Sequence, residues 1–359
     1  MRRRRFLAGG LIVLSLAVLA GVVWFSEPVQ DALMNRVVQG RAAQRRYLHD
    51  PSALHVVFCG TGSPLPDRRR GPPCIAVYAG EELLLVDAGD GAASRLGMMR
   101  APVGQLGTVL LTHFHSDHIG GLGDVVLQSW AAGRREPLQV YGPPGVESVT
   151  AGFEAAFALD SSYRTAHHGP EWMPPSGARM TARVVQVAGP DDVVTVFERG
   201  ELRVRAFAVD HSPVHPAYGY RVDYRGRSVI FSGDTIQQDI LARVGQGADV
   251  MVHEALAPHM MLAVADQLER AGDRQRAQLV RDTLSYHATP VQAAETANAA
   301  GVRLLVYSHV VPSPPNLVAE RVFLRGVPEV RGGGLVLGFD GLHLELPVGS
   351  TDIRQHELD

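Results

Sequence analysis

Hydrophobic and polar positions divide this chain into one uninterrupted apolar run and many short ones. Phe6 to Phe25 is 20 residues without a charge, preceded by four arginines, Arg2 to Arg5. As a helix rising about 1.5 Å per residue it spans roughly 30 Å, the thickness of a hydrocarbon core. Residues 1–26 therefore read as a signal anchor or signal peptide. Val18-Leu19-Ala20 offers a cleavage site, but the run continues through Val22, Val23, Trp24 and Phe25, which favours an anchor. The arginines should stay inside, so the rest of the chain is expected outside the cytoplasm. It would be membrane-anchored facing the periplasm, or released there if the segment is cut. Residues 27–51 are expected to form a helical stalk or linker, with apolar positions at Val29, Leu33, Val37 and Val38 and an end at Asp50-Pro51.

After residue 52 the pattern becomes short aliphatic and β-branched runs, each closed by polar residues. Thr108 to Thr112 predicts a strand running into His113-Phe114-His115-Ser116-Asp117-His118, with Gly120-Gly121 opening a helical stretch. Leu202 to Val209 predicts a strand ending in Asp210-His211. Ser228 to Phe231 predicts one ending in Ser232-Gly233-Asp234-Thr235, and Leu304 to Tyr307 one ending in Ser308-His309. A long helix over 256–284, charged on one face, should pack outside a sheet, and another helix should begin near Pro290. Proline-rich loops at Tyr141 to Gly145 and Gly169 to Gly177 flank a segment whose His167-His168 pair, lacking a neighbouring carboxylate, reads as loop. Phe153, Phe157, Tyr163 and Trp172 are candidates for a substrate wall.

Strand C-termini gather binding loops at one edge of a sheet, so the residues that close these strands can meet. Three imidazoles and a carboxylate within six residues have no packing rationale and match transition-metal chemistry. The reading is a pair of divalent ions, zinc or manganese. His113, His115 and His211 would hold one, Asp117, His118 and His309 the other, and Asp234 would lie between them. His215 is a rival to His211.

Together these segments resemble the metallo-β-lactamase fold, over roughly residues 54 to 348. The resemblance also includes Val56-Val57-Phe58-Cys59-Gly60-Thr61-Gly62-Ser63 and Leu85-Val86-Asp87-Ala88-Gly89-Asp90-Gly91. It implies an α/β fold, a four-layer αββα sandwich over 52–348, with 349–359 left as a polar tail. Asp87 corresponds to the family's support aspartate beneath the histidines. Val252-His253-Glu254-Ala255 and Tyr286-His287-Ala288-Thr289-Pro290 look like two boxes of ribonuclease Z. That likeness implies a Glu254–His287 proton relay to the leaving group, with Asp117 binding metal and orienting the nucleophile. The implied reaction is ester hydrolysis by metal-activated water. Ribonuclease Z carries a tRNA-gripping arm between its third metal histidine and its bridging aspartate, whereas His211 and Asp234 stand only 23 residues apart. The spacing from His211 to Gly219 is closer to arylsulfatases and related phosphodiesterases. A small anionic sulfate or phosphate ester is thus the expected substrate, with 3′-tRNA processing second and lactam hydrolysis third. A membrane-tethered binding module without activity is the reading from another class, and seven filled ligand positions speak against it. Superfamily relatives often dimerise.

Composition changes this picture at three points. The net charge of −3, from 34 Lys and Arg against 37 Asp and Glu, leaves no general basic field, which ranks nucleic acid behind a small ester as partner without excluding it. Arg68-Arg69-Arg70 is a local exception, read as a solvated loop near the site mouth. An apolar content of 46% in 359 residues allows one large core. Cys59 and Cys74 lack ligand spacing; an extracytoplasmic address permits a disulfide, but buried free thiols are the expectation.

Overall fold

The computed structural model describes residues 21–24, 26–43 and 50–358. The chain splits into two units, Met1–Tyr47 and Leu48–Asp359. In the first, a helix covers Glu27–Ala43, with Leu33, Met34, Val37 and Val38 exposed. The apolar run expected to cross a membrane lies outside the described residues, apart from helical residues 21–24. Among the described residues, no helix is long and apolar enough to cross a membrane.

The second unit is built on two sheets. Its strands are β1 (Ala53–Gly60), β2 (Cys74–Ala79), β3 (Glu82–Val86), β4 (Leu106–Leu110), β5 (Leu138–Gly142), β6 (Met180–Val184), β7 (Val193–Arg199) and β8 (Leu202–His211). They continue with β9 (Val214–Tyr224), β10 (Arg227–Phe231), β11 (Val250–Leu256), β12 (Leu304–Val311), β13 (Leu335–Leu337), β14 (Leu342–Pro347) and β15 (Arg354–Glu357). One sheet has the order β15-β14-β1-β2-β3-β4-β5-β6, the other β13-β12-β11-β10-β9-β8-β7. The run β3-β4-β5-β6 is parallel, as is β10-β11-β12-β13.

Side-chain alternation along single strands places the layers. On β1, Val56 and Phe58 enter a core with Leu84, Tyr220, Phe231 and Val306, where the two sheets face each other. Val57 and Cys59, pointing the other way, join Ala92, Leu96, Leu122 and Val125 from helices Ala92–Met98 and Leu122–Ala131. On the second sheet, Ile230 and Met251 turn outward to Leu241, Ala293 and Phe323 on its own covering helices. Sheets covered on both faces need continuous apolar runs instead of alternating ones, which is why β1, β11 and β12 are buried throughout. The result is the four-layer αββα sandwich.

Four expectations change. The 349–359 segment is not simply a tail: β15 pairs antiparallel with β14, and Arg354 bonds Glu345 at 2.8 Å. An exposed edge strand needs no apolar alternation, so its sequence looked like coil. The 256–284 helix is two helices, Pro258–Arg270 and Arg274–Asp282, broken where Gly272 takes φ +83°. His167 and His168 end a long helix, Val146–His168, and not a loop. Cys59 and Cys74 form a disulfide with Cα atoms 5.0 Å apart. A register shift between Phe58 and Gly60 on β1 sets Cys59 beside Cys74, a feature that cysteine spacing does not reveal.

His55 on β1 and His343 on β14 meet at 3.0 Å, both buried. Burial, then the charges of His55 and His356, push His343 down to about 3. An unfolded histidine titrates near ~6.5, so the unfolded chain takes up this proton first. The stability is therefore intact above about pH 6.5 and is lost as pH falls from there towards the folded value. Urea unfolding at pH 7 and pH 5 should show a loss on acidification that is smaller in His343→Gln. An identical loss in both proteins would assign the acid sensitivity elsewhere.

Candidate metal centre

The strand ends deliver the site. After β4 the chain passes Thr112 and His113, turns at His115, and enters the short helix Ser116–Ile119 with Asp117 and His118 on its first turn. His211 closes β8, Asp234 follows β10, Glu254 lies on β11 and His309 on β12. The glycine turn after β1 is compelled by close approach, since a Cβ at Gly60 would lie 1.8 Å from the Pro72 carbonyl oxygen.

Asp234 Oδ2 is the point of convergence. His309 Nε2 stands 3.2 Å from it, His118 Nε2 3.4 Å, His211 Nε2 3.8 Å and His113 Nε2 3.9 Å. His115 Nδ1 is 2.9 Å from His113 Nε2 and 3.3 Å from His211 Nε2. Asp117 Oδ2 is 3.3 Å from His309 Nε2 and 3.6 Å from His118 Nε2. Two donor sets result, His113, His115, His211 and Asp234 in one, Asp117, His118 and His309 in the other, each within 4.8 Å. Ligands of a tetrahedral ion with bonds of roughly 2.0–2.2 Å stand about 3.4 Å apart, so these donors have the spacing of first-row metal ligands. His118 Nε2 is buried without a hydrogen-bond partner, as a coordinating nitrogen must be before its ion arrives. The residues fit a pair of divalent ions. His211 is fully buried in the first set while His215 is exposed, which favours His211 as the ligand.

A second layer of bonds aims these imidazoles. Asp87 Oδ2 accepts from His118 Nδ1 at 2.8 Å, and Asp87 Oδ1 accepts from the Thr112 N–H at 2.8 Å. His113 Nδ1 meets the Thr112 hydroxyl at 3.1 Å, and His211 Nδ1 donates to the Tyr286 carbonyl at 2.9 Å. With Nδ1 occupied, Nε2 is left for the centre. Asp87 and His309 hold φ of +57° and +50°, strain that costs on the order of 1 kcal/mol each and is tolerated where geometry is over-determined.

Burial, reinforced by the His118 imidazole, holds His113 well below its ordinary value, and His115 and His211 are lowered mainly by burial. Burial opposes the charge of His118, but Asp234 and Asp87 outweigh it and hold the group well above the usual histidine range. Burial also opposes the Asp234 carboxylate, yet His309 and His118 hold it well below the usual carboxylate range. A low proton affinity suits His113, His115 and His211 to ligand duty, since a metal-binding imidazole must be neutral.

Beside the centre, Glu254 Oε1 accepts from His287 Nδ1 at 3.0 Å, from the Ala288 N–H at 3.0 Å and from the Thr235 N–H at 3.1 Å. His287 groups with Asp234 and His309 within 4.8 Å. Burial lowers its affinity for a proton, but the Glu254 carboxylate more than reverses this and raises His287 to about 9.

The beta-lactamase superfamily domain model matches residues 83–310, the stretch that carries this whole centre. The chain belongs to the beta-lactamase superfamily. It is 37% identical over 263 residues to a protein named Ribonuclease Z from Mycolicibacterium gilvum (strain PYR-GCK), covering 72% of this chain and 85% of that one. A Ribonuclease Z from Mycobacterium bovis (strain BCG / Pasteur 1173P2) is 37% identical over 267 residues, covering 72% and 87%. Among solved structures, human tRNase Z, short form, superposes with a TM-score of 0.59 at 20% identity, covering 82% of this chain and 100% of that chain. The metallo-beta-lactamase fold protein YhfI from Bacillus subtilis gives 0.57 at 19%, covering 82% and 99%. Fold, relatives and centre make this chain a metal-dependent hydrolase of ester bonds.

A groove of about 810 Å³ opens onto Asp117, walled by Ser63 to Asp67, Arg68, Arg70, Asp90 and Arg95. The arginine cluster is only partly a solvated loop. Arg68 is exposed on the groove, but Arg70 is buried, donating to the Gly338 carbonyl, and Arg69 donates to the Pro314 carbonyl. Asp340 fixes the same wall by accepting from the N–H groups of Thr61 and Gly71. No sequence signal marked Asp340, because its role depends on β14 lying beside β1. Of the proposed aromatic wall, Phe153 packs into the core under the first sheet and Phe157 lies over Gly123, while Tyr163 and Trp172 are exposed; none lines this groove.

Removing the Asp87 carboxylate should loosen His118 without deleting a ligand. In Asp87→Ala, competition against a chelator should show metal affinity reduced by roughly 10–100-fold. Unchanged affinity would show that the His118–Asp87 bond does not position the ligand.

Proposed function

We propose that this protein is a ribonuclease Z-like phosphodiesterase that hydrolyses RNA phosphodiester bonds, with zinc the favoured ion. The observation that carries this is the Glu254–His287 pair at 3.0 Å beside the donor sets, in a chain whose curated relatives bear the name Ribonuclease Z. Those relatives move RNA ahead of sulfate esters, reversing the order expected from sequence. A chain-wide charge balance does not weigh against this reading, because it does not describe a local groove, where Arg68 faces solvent.

His113, His115, His211, Asp117, His118, His309 and Asp234 would hold the ions. When bound, such ions make water nucleophilic at neutral pH and neutralise charge growing on the phosphoryl oxygens. The chain's own residues supply the rest. Asp117 accepts a hydrogen bond from the attacking water and orients it towards phosphorus. His287, with Nδ1 held by Glu254, donates the proton on Nε2 to the departing oxygen. Glu254, its Oε1 bound by three donors, keeps that imidazole charged and correctly turned.

One observation favours a second reading, small anionic phosphate or sulfate esters. β8 ends at His211 and β9 begins at Val214, so a tight hairpin stands where a tRNA-gripping arm would emerge. The Cys59–Cys74 disulfide supports the extracytoplasmic location proposed from the N-terminal segment, since such bonds persist in oxidising compartments.

Assays with a 3′-extended tRNA precursor, unstructured RNA, bis-p-nitrophenyl phosphate and p-nitrocatechol sulfate separate the readings. RNA and the activated diester should be cut and the sulfate spared. In His287→Ala, RNA cleavage should fall by roughly a hundredfold or more, while the diester, whose leaving group needs little protonation, should lose far less. Sulfate turnover without RNA cleavage would overturn the proposal, and equal losses on both phosphodiesters would remove His287 from the acid role.

A further inference from the structure

Tyr286 occupies the turn before His287, half-buried, with its ring centroid 5.1 Å from the His211 imidazole and 4.8 Å from that of His287. Its carbonyl accepts from His211 Nδ1, so its backbone is tied to the metal centre. The hydroxyls of Tyr218, Tyr220, Tyr224 and Tyr307 each donate to a carbonyl. The Tyr286 hydroxyl takes no such partner among the described residues.

We infer that Tyr286 is a specificity-determining residue whose ring stacks on the nucleobase carried by the departing oxygen. The inference rests on the phosphodiesterase reading. If His287 protonates the departing oxygen, the sugar bearing that oxygen must lie against His287, and Tyr286, half-buried, holds its ring 4.8 Å from that imidazole. A tyrosine anchored through its backbone gives up little freedom when a base settles on it, and aromatic faces accept any base. A small ester without a base gains nothing from this contact. The residue thereby favours nucleic acid over sulfate or alkyl esters at a centre whose ligands do not discriminate between them.

Calorimetric titration of the metal-loaded full-length chain tests this without turnover. The probes are a hydrolysis-resistant dinucleoside phosphonate and two counterparts, each lacking one base. For the wild type, removing one particular base should weaken binding by roughly five- to 150-fold, the range expected for one base–aromatic stack. Tyr286→Phe should keep that difference. Tyr286→Ala should abolish it, leaving affinity for the counterpart without that base within about twofold of wild type, relative to the expected stacking effect. The inference is overturned if neither base matters in the wild type, or if the preference survives in Tyr286→Ala. It is equally overturned if Tyr286→Ala weakens all three probes alike, which is what loosening of His211 would do. Hydrolysis of bis-p-nitrophenyl phosphate by the wild type reports separately on the phosphodiesterase reading. Failure there sinks the parent reading, whereas hydrolysis without any base preference sinks only the role of Tyr286.

Discussion

Four imidazole nitrogens lie between 3.2 and 3.9 Å from a single carboxylate oxygen, Asp234 Oδ2, and nearly all of them are withdrawn from water. Burying so many ionisable groups is unfavourable unless each is paired or coordinates a cation. The surrounding structure is arranged around that constraint. Asp87 and His309 accept left-handed backbone, Thr112 and the Tyr286 carbonyl hold imidazole Nδ1 atoms, and two sheets are stacked so that β4, β8, β10 and β12 all end at one place. A divalent ion would be held where these donors converge, each imidazole offering it a lone pair.

The acid and the ligands are coupled through shared backbone. Glu254 binds the Thr235 N–H, directly after Asp234, and the Ala288 N–H, directly after His287. A single carboxylate therefore registers Asp234 against His287. His211 is held in turn by the carbonyl of Tyr286, the residue before His287. Displacing the 286–288 segment would disturb His211, His287 and the Tyr286 ring together. This is a physical reason to expect non-additive effects when these positions are changed in combination.

Much of this was legible in the sequence where residue chemistry and strand periodicity coincide. His113 to His118, His211, Asp234 and His309 each close an apolar run, and the structure brings all of them together with Glu254 and His287 beside them. What escaped depends on relations that no local pattern encodes. The disulfide needed the register shift opposite Cys74, β15 needed an edge to pair with, and the choice of His211 over His215 needed burial. Aromatics were sought in the Phe-rich helical segment, yet the one beside the acid is Tyr286, whose position follows from the turn that presents His287. A chain-wide charge balance says little about a local groove, whose lining includes the exposed Arg68.

Anomalous diffraction from metal-loaded crystals tests the central claim most directly. Two peaks per chain are predicted, one bounded by His113, His115 and His211, the other by Asp117, His118 and His309, with Asp234 reaching both. A single peak, or ions bound away from Asp234, would contradict the account.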